Sequence, residues 1–156
     1  MPRQSAGLLL YRRSQGRLEV FLVHPGGPFW KTKDQGAWSI PKGEAAEADD
    51  LFETAVRELR EETGFDATGP AVALPPVKQA GGKTVHAWAM EAELDADAIV
   101  SNTFTLEWPP RSGRMQEFPE VDRAAWFDVT EARRRINAGQ VPLLDALEER
   151  LAGSLG

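Results

Sequence analysis

Cysteine is absent from this chain, which removes disulfides, Cys-ligated zinc and every thiol nucleophile at once. Histidine occurs only at His24 and His86, too far apart for an HExxH zinc helix. No Gly-x-Ser-x-Gly elbow, Walker A loop or Gly-x-Gly-x-x-Gly fingerprint is present, so the serine-hydrolase, P-loop and dinucleotide-binding readings have no anchor. Long apolar runs are missing too. Gly7–Tyr11 and Val20–Val23 are the longest, far short of the ~20 residues that span a bilayer. The opening Met1-Pro2-Arg3-Gln4-Ser5 has neither an apolar signal core nor a cleavage site, which gives the expectation of a cytoplasmic protein.

The chain has 156 residues, 42% hydrophobic and 27% charged, the balance and size of one globular domain covering residues 1–156. Its net charge is −6. A surface of that sign repels nucleic acid and anionic lipid, so neither is an expected partner. A polyphosphate remains accessible if divalent cations stand between the two sets of negative charge.

Punctuation by Gly, Pro and Asp divides the chain into short elements. Ala6–Tyr11 and Leu18–His24 read as strands about a Ser14-Gln15-Gly16 turn. Pro25–Gly36 reads as a loop, Ala37–Ile40 as a short strand, and Ala71–Gln79 as containing another. Thr84–Glu91 alternates Val85, Ala87 and Ala89 with His86, Trp88 and Met90, as in a strand covered on both faces. Thr103–Trp108 alternates as a half-buried strand, and Ala124–Phe127 is a further short one. Asp128 with Glu131 resembles a capping box for a helix stopped by Gly139, with Arg133–Arg135 on its wet face. Pro142 opens a last helix whose Leu143, Leu144, Leu147 and Leu151 form an apolar stripe. This order predicts an α/β (α+β) layered fold with a mixed sheet.

Asp49 or Asp50 can cap a helix that runs to about Thr63 and stops at Gly64. Phe52, Ala55, Val56 and Leu59 share one face of it, which must pack on the sheet. Leu51, Ala55, Glu58 and Glu62 follow i, i+4, i+7, i+11, so two glutamates continue a row that begins apolar. Exposed pairs such as Glu53–Arg57 and Arg57–Glu61 account for the outer charges of a Glu/Arg-rich helix. They do not account for Glu58 and Glu62, which would repel beside the core unless something neutralises them. A hard divalent cation such as Mg²⁺ or Mn²⁺ would, since it selects carboxylate, carbonyl and water oxygens.

The segment Gly43-x₅-Asp49-x₇-Arg57-Glu58-Leu59-Arg60-Glu61-Glu62-Thr63-Gly64-Phe65 resembles the signature box of the Nudix hydrolases, the family exemplified by MutT. Asp49 stands where that family has Glu, keeping the charge with one methylene less reach. The preceding Trp38-Ser39-Ile40-Pro41-Lys42-Gly43-Glu44 also resembles the strand and loop that introduce the box, and the element order fits the family's αβα sandwich. The resemblance implies a Mg²⁺-dependent pyrophosphohydrolase, with Mn²⁺ a possible substitute and a small-molecule nucleotide as partner. It also implies a possible homodimer.

By the same resemblance, Glu58, Glu61 and Glu62 bind metal, with the Lys42 carbonyl as a further ligand and Arg57 holding the box carboxylates. The general base lies outside the box. Glu120 is the candidate, six residues before Trp126, with Glu117 the runner-up. Arg111, Arg114 and Lys42 are candidate phosphate contacts, suited by charge and, for arginine, by a bidentate fork. Phe29, Trp30 and His24 flank a Gly-Gly-Pro loop that could stack on a base, Trp30 being the candidate. Ala80 and Gly81 stand where ADP-ribose-type members show Pro and Tyr. The Trp-x-x-Pro-Lys-Gly entry is closest to members that cut diadenosine tetraphosphate asymmetrically, and so points to a dinucleoside polyphosphate or a nucleoside triphosphate. The competing expectation is a catalytically silent domain that senses a nucleotide; the family's isomerase branch would need the missing cysteine.

Overall fold

The computed structural model describes residues 3–155; Met1, Pro2 and Gly156 are outside the described residues. Two long strands, β1 (Gln4–Ser14) and β2 (Arg17–Pro25), pair antiparallel about the expected turn, where Gln15 and Gly16 both take positive φ. β1 also lies parallel to β6 (Lys83–Glu91), and β2 antiparallel to β9 (Val121–Asp128). Short strands β3 (Lys42–Ala45), β4 (Ala71–Ala73) and β5 (Val77–Gln79) complete a mixed sheet ordered β4-β6-β1-β2-β9, with β3 on β1 and β5 on β6. A separate hairpin joins β7 (Thr103–Glu107) to β8 (Met115–Pro119).

Alternation along the central strands builds both faces. Leu9, Val20, Leu22, Val85, Ala87 and Ala89 point to one side, where α2 (Val129–Arg135) and α3 (Val141–Leu155) contribute Ala132, Leu143, Leu144 and Leu147. Ala6, Leu8, Leu10, Phe21 and Met90 point to the other, under Ala55 and Leu59 of α1 (Leu51–Thr63). Each face of the sheet thus carries a helical layer, giving the layered mixed-sheet fold expected from the order of elements and the αβα sandwich that the family resemblance implies. No helix among the described residues is long and apolar enough to cross a membrane.

The strand expected within Ala71–Gln79 is present as two, parted at Leu74-Pro75-Pro76, where proline removes ladder donors. Three local expectations are corrected. Ala37–Ile40 makes only isolated bridges, Val23 with Ser39 and Trp38 with Ile136; the regular strand begins after it, at Lys42. α2 stops before Gly139: Ile136 is drawn into the core in an extended conformation, leaving Gly139 in a one-turn 3₁₀ segment. The Arg133–Arg135 run is not simply wet. Arg133 binds Asp145 at 2.5 Å and also Glu148, tying α2 to α3, and Arg135 binds Asp34 at 2.7 Å. Arg134 is the exposed member of the three, 3.5 Å from Glu131.

Candidate active site

The carboxylate helix starts and stops on local signals. The Asp50 side chain accepts the Glu53 N–H, worth about 1 kcal/mol at such a cap, and Gly64 closes the helix in the left-handed region. Asp49 has a different task. Its carboxylate accepts the Ala46 N–H at 2.9 Å, closing the turn between β3 and α1, and it makes no ion pair with Arg57. The shorter acid therefore supports the loop that delivers the helix.

Two glycines let the backbone of β3 come close. A Cβ on Gly7 would lie 2.4 Å from the Pro41 carbonyl oxygen and 2.6 Å from the Lys42 Cβ, so only glycine admits β3 beside β1 here. A Cβ on Gly43 would stand 2.1–2.4 Å from the three carboxyl atoms of Glu58. The Glu58 carboxyl group is thus packed on the Gly43 backbone, its side chain only 13% exposed. Along the same helix face, Glu62 accepts the Lys42 N–H at 3.3 Å.

The electrostatics are those of a compressed negative cluster. Burial first, then the Glu58 charge, pushes the Glu62 carboxyl up to about 8 from an ordinary 4.5, against the pull of the Lys42 N–H. Burial and Glu61 raise Glu58, with Arg57 opposing. Burial and Glu61 also raise Glu120. Burial and the nearby Lys83 lower the Lys42 ammonium, while Glu62, Glu44 and Glu58 pull the other way. Arg57 lies 3.7 Å from Glu58 and 3.8 Å from Glu61, beyond hydrogen-bond range of both, so it compensates them only in part. No three acidic or histidine side chains among the described residues are arranged as a ready metal site. The chemistry of the donors nevertheless fits a hard divalent cation: crowded carboxylates from α1, with Glu120 facing them, and too little positive charge to balance them.

A cleft of about 250 Å³ opens beside this cluster. Its walls include Lys42, Glu62, Glu120 and Trp30, while Ser39, Gln79, Asn137 and Gln140 form a second polar group. The structure therefore brings Glu58, Glu61, Glu62, Lys42 and Glu120 into one neighbourhood. Glu120 is set there by its backbone, whose carbonyl accepts from Gly26 and whose N–H donates to Asn102. Glu117 is elsewhere: it sits on exposed β8 and accepts the Thr103 hydroxyl at 2.5 Å.

Trp30 is 39% exposed at the cleft, with the Lys33 ammonium 5.2 Å above its ring. Phe29 packs edge-on against Trp108 instead. His24 does not stack on anything entering from solvent. It is fully buried, its two ring nitrogens facing Asp122 at 2.9 Å and the Lys33 carbonyl at 2.6 Å, which straps the Pro25–Gly36 loop to β2. Arg111 and Arg114 lie at the exposed turn of the β7–β8 hairpin and are not among the cleft's lining residues. Gln79, Asn137 and Gln140 were not anticipated from the sequence, where nothing connects amides so far apart.

The class is that of α/β domains with a mixed sheet between helical layers, in which glutamates from one helix meet a late-sequence acid beside a small cleft. The NUDIX domain family model matches residues 1–147, and the chain belongs to that family. At the level of the family it is a Nudix-type pyrophosphohydrolase. Similar solved structures include the NUDIX domain of Shewanella oneidensis NrtR complexed with ADP ribose, at 18% identity and TM-score 0.67, covering 97% of this chain and 89% of that one. A C. elegans Ap4A hydrolase binary complex is 22% identical with TM-score 0.65, covering 97% and 98% of the two chains. A Nudix hydrolase from M. smegmatis, RenU, is 21% identical with TM-score 0.63, covering 97% and 87%. No curated protein matches the sequence.

Proposed function

We propose that this protein hydrolyses a phosphoanhydride bond in a nucleoside diphosphate linked to another moiety, a dinucleoside polyphosphate or a nucleoside triphosphate, with Mg²⁺ as cofactor and Mn²⁺ able to replace it. The observation that carries the reading is Glu62. Its carboxyl is pushed up to about 8 beside Glu58, against the pull of the Lys42 ammonium and N–H. Such crowding costs free energy in the isolated protein and is relieved by a divalent cation. Glu58, Glu61 and Glu62 would hold the metal, with the Lys42 carbonyl as a further oxygen ligand. Bound there, the cation neutralises charge on the phosphates and lowers the pKa of water.

The remaining tasks fall to side chains. Glu120 takes the proton from the attacking water, and its raised pKa brings it closer to the working pH of a base. Water forms a new P–O bond while the anhydride P–O bond breaks, its electron pair leaving on the departing phosphate. Arg57 restrains Glu58 and Glu61 from outside. Trp30 offers an exposed ring to a base. A cleft of about 250 Å³ falls below the roughly 300–1,000 Å³ that encloses a drug-sized ligand, so it takes one moiety of the substrate. Arg111 and Arg114 on the neighbouring hairpin are cations for a polyphosphate tail beyond it.

The test is incubation with Mg²⁺ and a panel of nucleoside triphosphates and dinucleoside polyphosphates, with products separated by chromatography. Metal-dependent release of a nucleoside phosphate supports the reading. Tight nucleotide binding with no turnover of any of them would make the protein a sensor instead.

A further inference from the structure

The start of β9 carries one residue too many. From Glu19↔Asp128 to His24↔Arg123 the β2–β9 partners are in step, and the next pair is Pro25↔Val121, so Asp122 is an extra residue bulged out of the ladder. The bulge decides which way the chain before it faces. Ala124 and Trp126 point to the α1 side of the sheet, and the extra residue returns Val121 to that side, where it is buried. Without it, a slip of one residue would turn Val121 out of that core and displace Glu120 with it. The place of Glu120 on the cleft, beside Glu62 and Lys42, is therefore set by the bulge.

A buried histidine clasps this bulge. His24 Nδ1 faces the Asp122 carboxylate at 2.9 Å, and Nε2 faces the Lys33 carbonyl at 2.6 Å. An ionised carboxylate and a carbonyl only accept, so the ring donates from both nitrogens. The ring is fully buried, with the Trp38 indole edge-on at 5.2 Å, so either bond lost here leaves a buried donor without a partner. The backbone joins the same two segments a second time. The Gly26 N–H donates to the Glu120 carbonyl at 2.9 Å, and a Cβ on Gly26 would lie 2.0 Å from the Pro119 carbonyl oxygen. The clasp thus links the loop that carries Trp30 to the segment that carries Glu120, while neither His24 nor Asp122 lines the cleft.

We propose that His24 is a positioning residue for the general base: by holding Asp122 in the bulge it fixes the aim of Glu120 toward the attacking water. The inference rests on the reading of Glu120 as that base. It gives the two bonds of the ring different effects. The Asp122 bond acts on Glu120 and so on kcat. The Lys33 bond acts on the loop that carries Trp30 and so on KM. A misplacement of about 1 Å in a reacting group costs on the order of 10²-fold, so a slackened bulge is felt in the rate well before the fold is lost.

A double-mutant cycle separates positioning from stability. Asp122→Ala is expected to lower kcat at least about 10-fold with KM within about 3-fold. Asp122→Asn, whose amide can bond the ring as acceptor or donor, is expected to bring kcat back to within about 3-fold of wild type. In a Glu120→Gln background, Asp122→Ala is expected to cost less than about 2-fold more, because the group it aims is gone. Equal losses in the two backgrounds mean a merely structural part and overturn the proposal. His24→Phe keeps a ring and removes both donors; it is expected to lower kcat in the same Glu120-dependent way and also to raise KM. If it does not fold, the Asp122 cycle decides alone. Independently of activity, nuclear magnetic resonance of the metal-free protein at about pH 6 is expected to show two slowly exchanging His24 ring hydrogens, and one or none overturns the clasp. Wild-type protein that hydrolyses no nucleotide overturns the role of Glu120 together with this inference, whereas turnover with additive losses overturns this inference alone.

Discussion

Replacing Glu62 by Gln removes one charge and no heavy-atom volume, so it isolates the free energy stored in the carboxylate cluster. In the fold the Glu62 carboxyl is pushed up to about 8, from 4.5 in an unperturbed chain. A carboxyl whose folded pKa is raised contributes most below its unfolded value, and that contribution is lost as pH climbs through the folded one. At pH 7.5 the full difference corresponds to about 4 kcal/mol at 1.36 kcal/mol per tenfold step. The pull of Lys42 is already contained in that value; relaxation of the ionised cluster toward solvent, as an effective dielectric well above that of a dry interior implies, brings the expected gain to about 2 kcal/mol. For a chain of this size that is roughly 4–8 °C in Tm. Metal-free E62Q should therefore melt above wild type at pH 7.5 by that amount, the gap closing to within about 2 °C at pH 5. Added Mg²⁺ should raise the wild-type Tm and leave E62Q nearly unmoved, and E62Q should show no Mg²⁺-dependent turnover. Differential scanning fluorimetry at the two pH values, with EDTA or Mg²⁺, measures every arm. A variant that melts below wild type at pH 7.5, with the same Mg²⁺ response, would refute both the strained carboxylate and its metal role.

Five other variants probe the rest of the site and the packing behind it. Gly43→Ala should lower kcat by more than about 10-fold with a Tm change under about 3 °C, because its Cβ displaces the flexible Glu58 carboxylate rather than backbone. Glu120→Gln should lower kcat by about 10²-fold while Glu117→Gln stays within about 3-fold; equal losses in steady-state assays would reject Glu120 as base. The double variant Arg111→Ala, Arg114→Ala should raise KM several-fold for a dinucleoside tetraphosphate and leave a nucleoside triphosphate unaffected, read from initial rates. Arg133→Ala should cost about 0.5–1 kcal/mol in urea unfolding, the scale of partly exposed ion pairs, and leave activity intact.

Local signals made much of the chain legible from sequence. The α1 caps, Asp50 and Gly64, and the buried flank carrying Glu58 and Glu62 follow from residues within a few turns of each other. The central strands announced themselves by alternation. β3 did not, because Lys-Gly-Glu-Ala has no apolar period; it is a strand only because Gly7 lets it approach β1. β8 was missed for a similar reason, its Met-Gln-Glu-Phe-Pro being mostly exposed and paired only with β7. Gly139 was a plausible helix stop, yet the burial of Ile136 beside Trp38 ended α2 earlier. The carboxylates were legible because chemistry and helical spacing coincide on one helix. The pairing of Gln140 with Gln79 and Ser39 was not, since its bonds join residues 61 and 101 positions apart and no sequence period links them.

That separation has a consequence for how the molecule is born. Synthesis proceeds from the N-terminus, and the carboxylate helix is complete once Thr63 has emerged. Ile40 and Ser39 then wait for Gln140, which follows about a hundred residues later together with the turn that carries Asn137. A nascent chain halted before that point holds its acids without a finished cleft. The segment after β9 thus completes in space a wall whose opposite side was in place long before it was made.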